Sequence, residues 1–130
     1  MLLIVLAGLL LLLVMSFVPG AYLTKQVGAE RQMGPRDDLP EPTPELARAR
    51  RAFANLQETL PIFLTLGVLS IVLGEEGWLS IGGGLIYLVA RVAHPICYIK
   101  ALSPARSIAY TVGMLGLVAM AVPVIGHLWG

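Results

Sequence analysis

Residues 1–24 carry no charged side chain, and residues 1–18 are almost pure Leu, Ile, Val, Ala and Met. About 20 apolar residues cross the hydrocarbon core of a bilayer as a helix. A cleaved signal peptide is the competing reading, but it calls for a basic start and a short apolar core. No Lys or Arg precedes Lys25, so a retained helix is expected. Three further apolar stretches follow: residues 52–74, interrupted by Asn55, Gln57 and Glu58; residues 77–99, carrying Arg91 and His94; and residues 107–130, with no formal charge. Composition agrees, with 13% charged residues against about a quarter in soluble domains. The expected fold is an all-α membrane protein, a four-transmembrane-helix bundle. It forms a single domain over 1–130, with helices over roughly 1–24, 44–74, 77–100 and 104–129 and a polar loop over roughly 25–43.

The remaining composition excludes several function classes. A net charge of +1 argues against nucleic acid, which needs a basic surface. One cysteine forms no intrachain disulfide, and His94 and His127 lie too far apart for a zinc spacing, so no metal site is expected. Pro35, Pro40, Pro42 and Pro44 keep the first part of the polar segment out of a helix. Thr43, Pro44 and Glu45 read as an N-cap, a first-turn proline and an acid at the positive dipole end. Ser103 and Pro104 read as the cap and first turn of the fourth helix. Basic residues set orientation: they gather in segments 25–50 and 100–106, which are expected to be cytoplasmic. The termini and the short Glu75-Glu76 turn, which hold none, belong on the other side. That turn is short enough to predict a tight antiparallel hairpin of the second and third helices.

Glu58 and Arg91 occupy membrane depth, where a charge costs roughly 2.5–3.5 kcal/mol. Both sit on neighbouring antiparallel helices at similar depth, so an ion pair that fixes packing is one reading. Other polar groups share their faces. Arg51, Asn55 and Glu58 recur at i, i+4, i+7; Tyr87, Arg91, His94 and Tyr98 at i, i+4, i+7, i+11; Arg106 and Tyr110 four apart. Such spacings stack side chains along one helix face. The excess of cations over Glu58 points to an anionic ligand. Each residue also has a plain structural role open to it. Arg51 can snorkel to headgroups, Tyr98 and Tyr110 can belong to an interfacial belt, and His94 can bond between helices. Cys97 reads as a small apolar filler and His127 as incidental. Pro61 and Pro95 are candidate kinks, and Gly82, Gly83 and Gly84 mark close helix contact.

RAFANLQETLPIF (residues 51–63) and ARVAHPICYIKALSPARSIAY (residues 90–110) carry a resemblance. The first resembles the second-helix signature of the MAPEG family, the membrane-associated proteins in eicosanoid and glutathione metabolism: Arg, three residues, Asn, two residues, Glu, then Pro and Phe. The second is similar to the matching segment of that family's microsomal glutathione transferase and prostaglandin E synthase branch. It shares the Arg-Val-Ala-His run, a Tyr four residues on, and Arg-Ser followed by Tyr. The resemblance implies a homotrimer with glutathione between subunits. On it, Arg51, Asn55, Glu58, His94, Tyr98, Arg106 and Tyr110 match family glutathione contacts, and Arg91 joins them as a further cation for the anionic ligand. Arg106 is then expected to stabilise the glutathione thiolate, with Ser107 or Tyr110 as a supporting donor, for attack on apolar electrophiles or lipid hydroperoxides from the bilayer. Two alternatives are carried: a non-catalytic trimeric relative that binds membrane lipid or a protein partner, and a small cation exporter. The exporter is disfavoured because the first helix holds no acid.

Overall fold

A computed structural model describes all residues, 1–130. The chain forms helices α1 (Leu2–Val27), α2 (Ala29–Met33), α3 (Pro44–Leu73), α4 (Trp78–Ile99) and α5 (Ser103–Gly126), then a 3₁₀ turn (His127–Trp129). α1, α3, α4 and α5 are each long and apolar enough to cross a membrane. Hydrocarbon offers no partner for a backbone N–H or C=O, so spanning segments must satisfy their own. Of 97 backbone hydrogen bonds, 85 lie inside helices. This is an integral, multi-pass, all-α membrane protein.

Local chemistry sets the helix ends. Gly28, at φ 88, breaks α1 from α2. The proline-rich segment was expected to be loop throughout its first part, but Ala29–Met33 forms a helical turn, upstream of the first of those prolines. The Gln26 side chain ties the segment down: its amide donates to Glu41 O at 2.7 Å, and Thr43 N donates to its Oε1 at 3.2 Å. Thr43 then caps α3, its Oγ1 accepting from Leu46 N at 3.3 Å, with Pro44 in the first turn. Ser103 does not cap α5; it is the first helical residue, and Leu102 before it offers no side-chain acceptor. The helices run on through Pro19, Pro61, Pro95 and Pro123.

α3 and α4 are joined by the short turn closed by Gly74 at φ 72. They meet through large side chains: Phe63 stacks on Tyr87 at 4.6 Å, and Thr59 Oγ1 lies 2.9 Å from Tyr87 Oη. The tightest pair is instead α4 with α5. There a Cβ on Gly83 or on Gly116 would sit 2.6 Å from the other residue's carbonyl oxygen. Small residues let membrane helices approach this closely, where packing replaces a hydrophobic driving force. α1 docks on α3 in a similar way, with Gly8 under the Phe63 ring and Gly67 under Val5. Gly84 abuts Ile4, whereas Gly82 faces open space.

Gly116→Ala places a methyl against two immobile backbone groups. It should cost about 1–3 kcal/mol, read as a lower unfolding midpoint in detergent, while Gly82→Ala stays within about 0.5 kcal/mol of the parent. The α4–α5 turn holds Ala101 at φ 58, which a Cβ disfavours by roughly 1–2 kcal/mol. Ala101→Gly should therefore raise the same midpoint.

Candidate functional site

Where α3, α4 and the first turns of α5 converge, the bundle opens into a cavity of about 270 Å³ lined by Asn55, His94, Arg106, Ser107, Tyr110 and Thr111. Helical spacing builds it. Arg106 and Tyr110 are four apart on α5, as are Ser107 and Thr111, so two adjacent rows of α5 face the opening. His94 comes from α4, its ring 6.2 Å from that of Tyr110. Asn55 comes from α3.

Tyr98 holds the cations around this cavity in place without lining it. Arg51 Nε donates to its hydroxyl at 3.1 Å, and the Arg106 guanidinium lies 4.8 Å from its ring centroid. That is within the range of a cation–π attraction, worth about 0.5–1 kcal/mol where exposed and more where desolvated. The His94 ring sits 5.6 Å from that of Tyr98, tilted by 59°. One tyrosine thus orients two guanidinium groups from different helices. Arg48, one turn before Arg51 on α3, donates its Nε to Ile99 O at 2.8 Å and satisfies a carbonyl left free at the end of α4.

Of the nine residues singled out from sequence, Asn55, His94, Arg106, Ser107 and Tyr110 line the cavity. Arg51 and Tyr98 flank it through the contacts above. Arg91 and Glu58 do not meet in the chain: Glu58 makes no ion pair. The reason is rotational. The Arg91 stem turns toward α5, where a Cβ on Gly113 would touch its Cδ at 3.5 Å, and Glu58 stands on an exposed stripe of α3 with Arg51, Ala54, Pro61 and Thr65. Arg91 is fully buried, and none of its three guanidinium nitrogens has a partner; Asn55 Oδ1 and His94 Nδ1 are likewise buried and unpaired. Buried polar groups are nearly always hydrogen-bonded, so these atoms of Arg91, Asn55 and His94 are available to further hydrogen-bond partners.

Two residues escaped the sequence reading. Thr111 lines the cavity, but its hydroxyl also donates to Ser107 O at 3.0 Å, the usual resting bond of a helical threonine. Its four-residue spacing from Ser107 was the available signal. His127 is not incidental: its Nε2 lies 2.7 Å from Glu75 Oε1, tying the end of α5 to the α3–α4 turn at the opposite end of the bundle.

An uncompensated buried charge is costlier than an apolar side chain of similar volume. Arg91→Met should raise the unfolding midpoint by the equivalent of about 1–4 kcal/mol in detergent melts followed by circular dichroism. A fall would mean that the guanidinium is paired in the assembled protein.

The MAPEG family matches residues 1–126. Human prostaglandin E synthase is 36% identical over 83 residues, which is 63% of this chain and 55% of that protein. The Macaca fascicularis prostaglandin E synthase is 34% identical over the same shares of both chains. The horse (Equus caballus) protein of that name is 33% identical over 82 residues, 62% of this chain and 54% of its own. The match spans about half the length of each of these relatives. Both the whole-chain family match and the polar cavity framed by the RAFANLQETLPIF and ARVAHPICYIKALSPARSIAY segments lead to one conclusion: the chain belongs to the MAPEG family.

Proposed function

We propose that the cavity between α3, α4 and α5 binds glutathione and activates its thiol against an apolar electrophile or a lipid hydroperoxide entering from the bilayer. The observation that carries this reading is the clustering of Arg106, Ser107 and Tyr110 in one cavity with the unpaired atoms of Asn55 and His94. The chemistry of this donor set fits the tripeptide. Guanidinium forks suit carboxylates, Asn55 Oδ1 is free to accept an amide N–H, and Glu58 suits an ammonium. When bound, glutathione supplies a thiolate that serves as nucleophile or reductant.

The chain's part is electrostatic. A free thiol near pKa 8.5 is mostly protonated at neutral pH, and a neighbouring cation lowers that value. Arg106 is the cation on the cavity wall, held by the Tyr98 ring. Ser107 and Tyr110 add hydroxyl donors beside it. Arg91, buried behind His94 in a medium of low dielectric, adds positive potential that water does not screen.

The proposal includes a homotrimer. Arg51 and Glu58 are exposed on α3 of the single chain, and hydrocarbon tolerates ionisable groups poorly; a neighbouring copy over that stripe would cover them and bring Glu58 to the edge of a ligand site. The basic end, with Lys25, Arg31, Arg48 and Lys100, is assigned to the cytoplasm and both termini to the other side.

Arg106→Ala should raise the pKa of the bound thiol by about 1–3 units. A raised pKa leaves less thiolate at neutral pH, so the ultraviolet thiolate signal of the glutathione complex should fall at pH 7 and return only at higher pH. An unchanged signal removes the role of Arg106. Turnover of a generic aryl halide by the purified protein supports catalysis; saturable glutathione binding without turnover across several electrophiles selects the non-catalytic alternative.

A further inference from the structure

A second cavity, of about 590 Å³, lies away from the polar site. It is a groove along the seam of α4 and α5, lined only by hydrophobic residues, among them Val89, Ala93 and Cys97 of α4 and Ala105, Ile108 and Val112 of α5. At about 100° per residue, Val89 and Ala93 point away from the face that carries Arg91 and His94, and Cys97 lies at its edge. Ile108 and Val112 likewise point away from the face of α5 that carries Arg106 and Tyr110. The groove and the polar cavity share no lining residue.

Its shape follows from the sequence. Gly83 and Gly116 pin the two helices together at one end, while alanines at 90, 93, 105 and 109 leave the seam hollow toward the other. From Leu85 to Cys97 the groove runs roughly 18 Å at 1.5 Å per residue, close to the half-thickness of a hydrocarbon core about 30 Å deep. It is as long as the acyl region of one leaflet.

Charge selects the occupant. No Asp or Glu occurs from residue 77 to residue 130, while Arg91, Lys100 and Arg106 all do. Arg91 is buried and Arg106 lies over Tyr98, which leaves exposed Lys100 as the free cation. Lys100 is the C-cap of α4, three residues beyond the groove residue Cys97 and about one turn along the same face. A second copy of the chain is the weaker fit, because the ionisable groups that need protein cover, Arg51 and Glu58, are on α3 and not in this groove.

We propose that the α4–α5 groove is a binding site for an anionic phospholipid, one acyl chain lying between the helices and the phosphate meeting Lys100. The test is native mass spectrometry of the detergent-purified full chain, offered equal amounts of phosphatidylglycerol and phosphatidylcholine with matched acyl chains. One phosphatidylglycerol should be retained per chain, favoured about five-fold, the effect of one lysine near a charged headgroup. Lys100→Gln, a surface change that leaves the fold alone, should abolish the preference and keep lipid retention. Ala93→Phe, which fills the groove, should lose both lipids. Equal retention of the two lipids by the parent, a preference that survives Lys100→Gln, or full retention by Ala93→Phe would each overturn the site. So would dissociation of the oligomer by Ala93→Phe, which would show that a second copy occupies the groove.

Discussion

α4 and α5 touch backbone to backbone at Gly83 and Gly116, so closely that neither position has room for a methyl group. Two helices held at that distance form a two-sided wall. On the side of α3 this wall carries Tyr87, His94, Arg106 and Tyr110, with Arg91 turned into the α4–α5 contact, and the outward groove along the seam is lined only by apolar groups. Because an α-helix rotates about 100° per residue, the choice of face for Arg91 also fixes the direction of Val89 and Ala93. Polar cavity and apolar groove are thus two consequences of a single contact.

Arg91 shows what the arrangement costs. Its guanidinium is fully enclosed and unpaired within the chain, and an uncompensated buried charge is among the most destabilising features a protein can carry. Around it, packing is dense: Tyr87 is stacked on Phe63 and bonded to Thr59. Under the proposed function, a residue this unfavourable in a bundle this well packed would supply positive potential where water cannot screen it, beside the cavity where a thiolate would form.

How much of this was readable from sequence depended on the range of the interaction. The Thr43 cap and Pro44 start of α3 are local and were evident. So were the four spans, because a solvent without hydrogen bonds leaves helices as the option for such apolar runs. The rows Arg106–Tyr110 and His94–Tyr98 followed from spacing along single helices. The pairing of Glu58 with Arg91 did not follow. Depth is set by residue count, but contact also needs the rotation of each helix about its axis, which is decided by which glycines find a partner. Gly83 did and Gly82 did not, and nothing in the Gly-Gly-Gly run distinguishes them. His127 and Glu75, 52 residues apart, were invisible for the same reason, as was the substitution of a guanidinium donor from Arg48 for a cap of its own at the end of α4.

A carboxylate left to hydrocarbon costs roughly 2.5–3.5 kcal/mol, and on α3 Glu58 shares an exposed stripe with Arg51 and Thr65. Lipid is therefore the wrong neighbour for that stripe, whereas the α4–α5 groove is lined only by apolar residues. The single chain thus carries an exposed stripe with ionisable groups on α3 and an apolar groove between α4 and α5. In the proposed trimer the three polar flanks would face one another, and the cavity beside His94 and Arg106 would sit near the boundary between copies, where a ligand with both carboxylates and an ammonium could reach Glu58 and Arg106 together. A monomer would offer such a ligand its cations and leave its ammonium unmatched, so assembly and glutathione affinity should be gained or lost together.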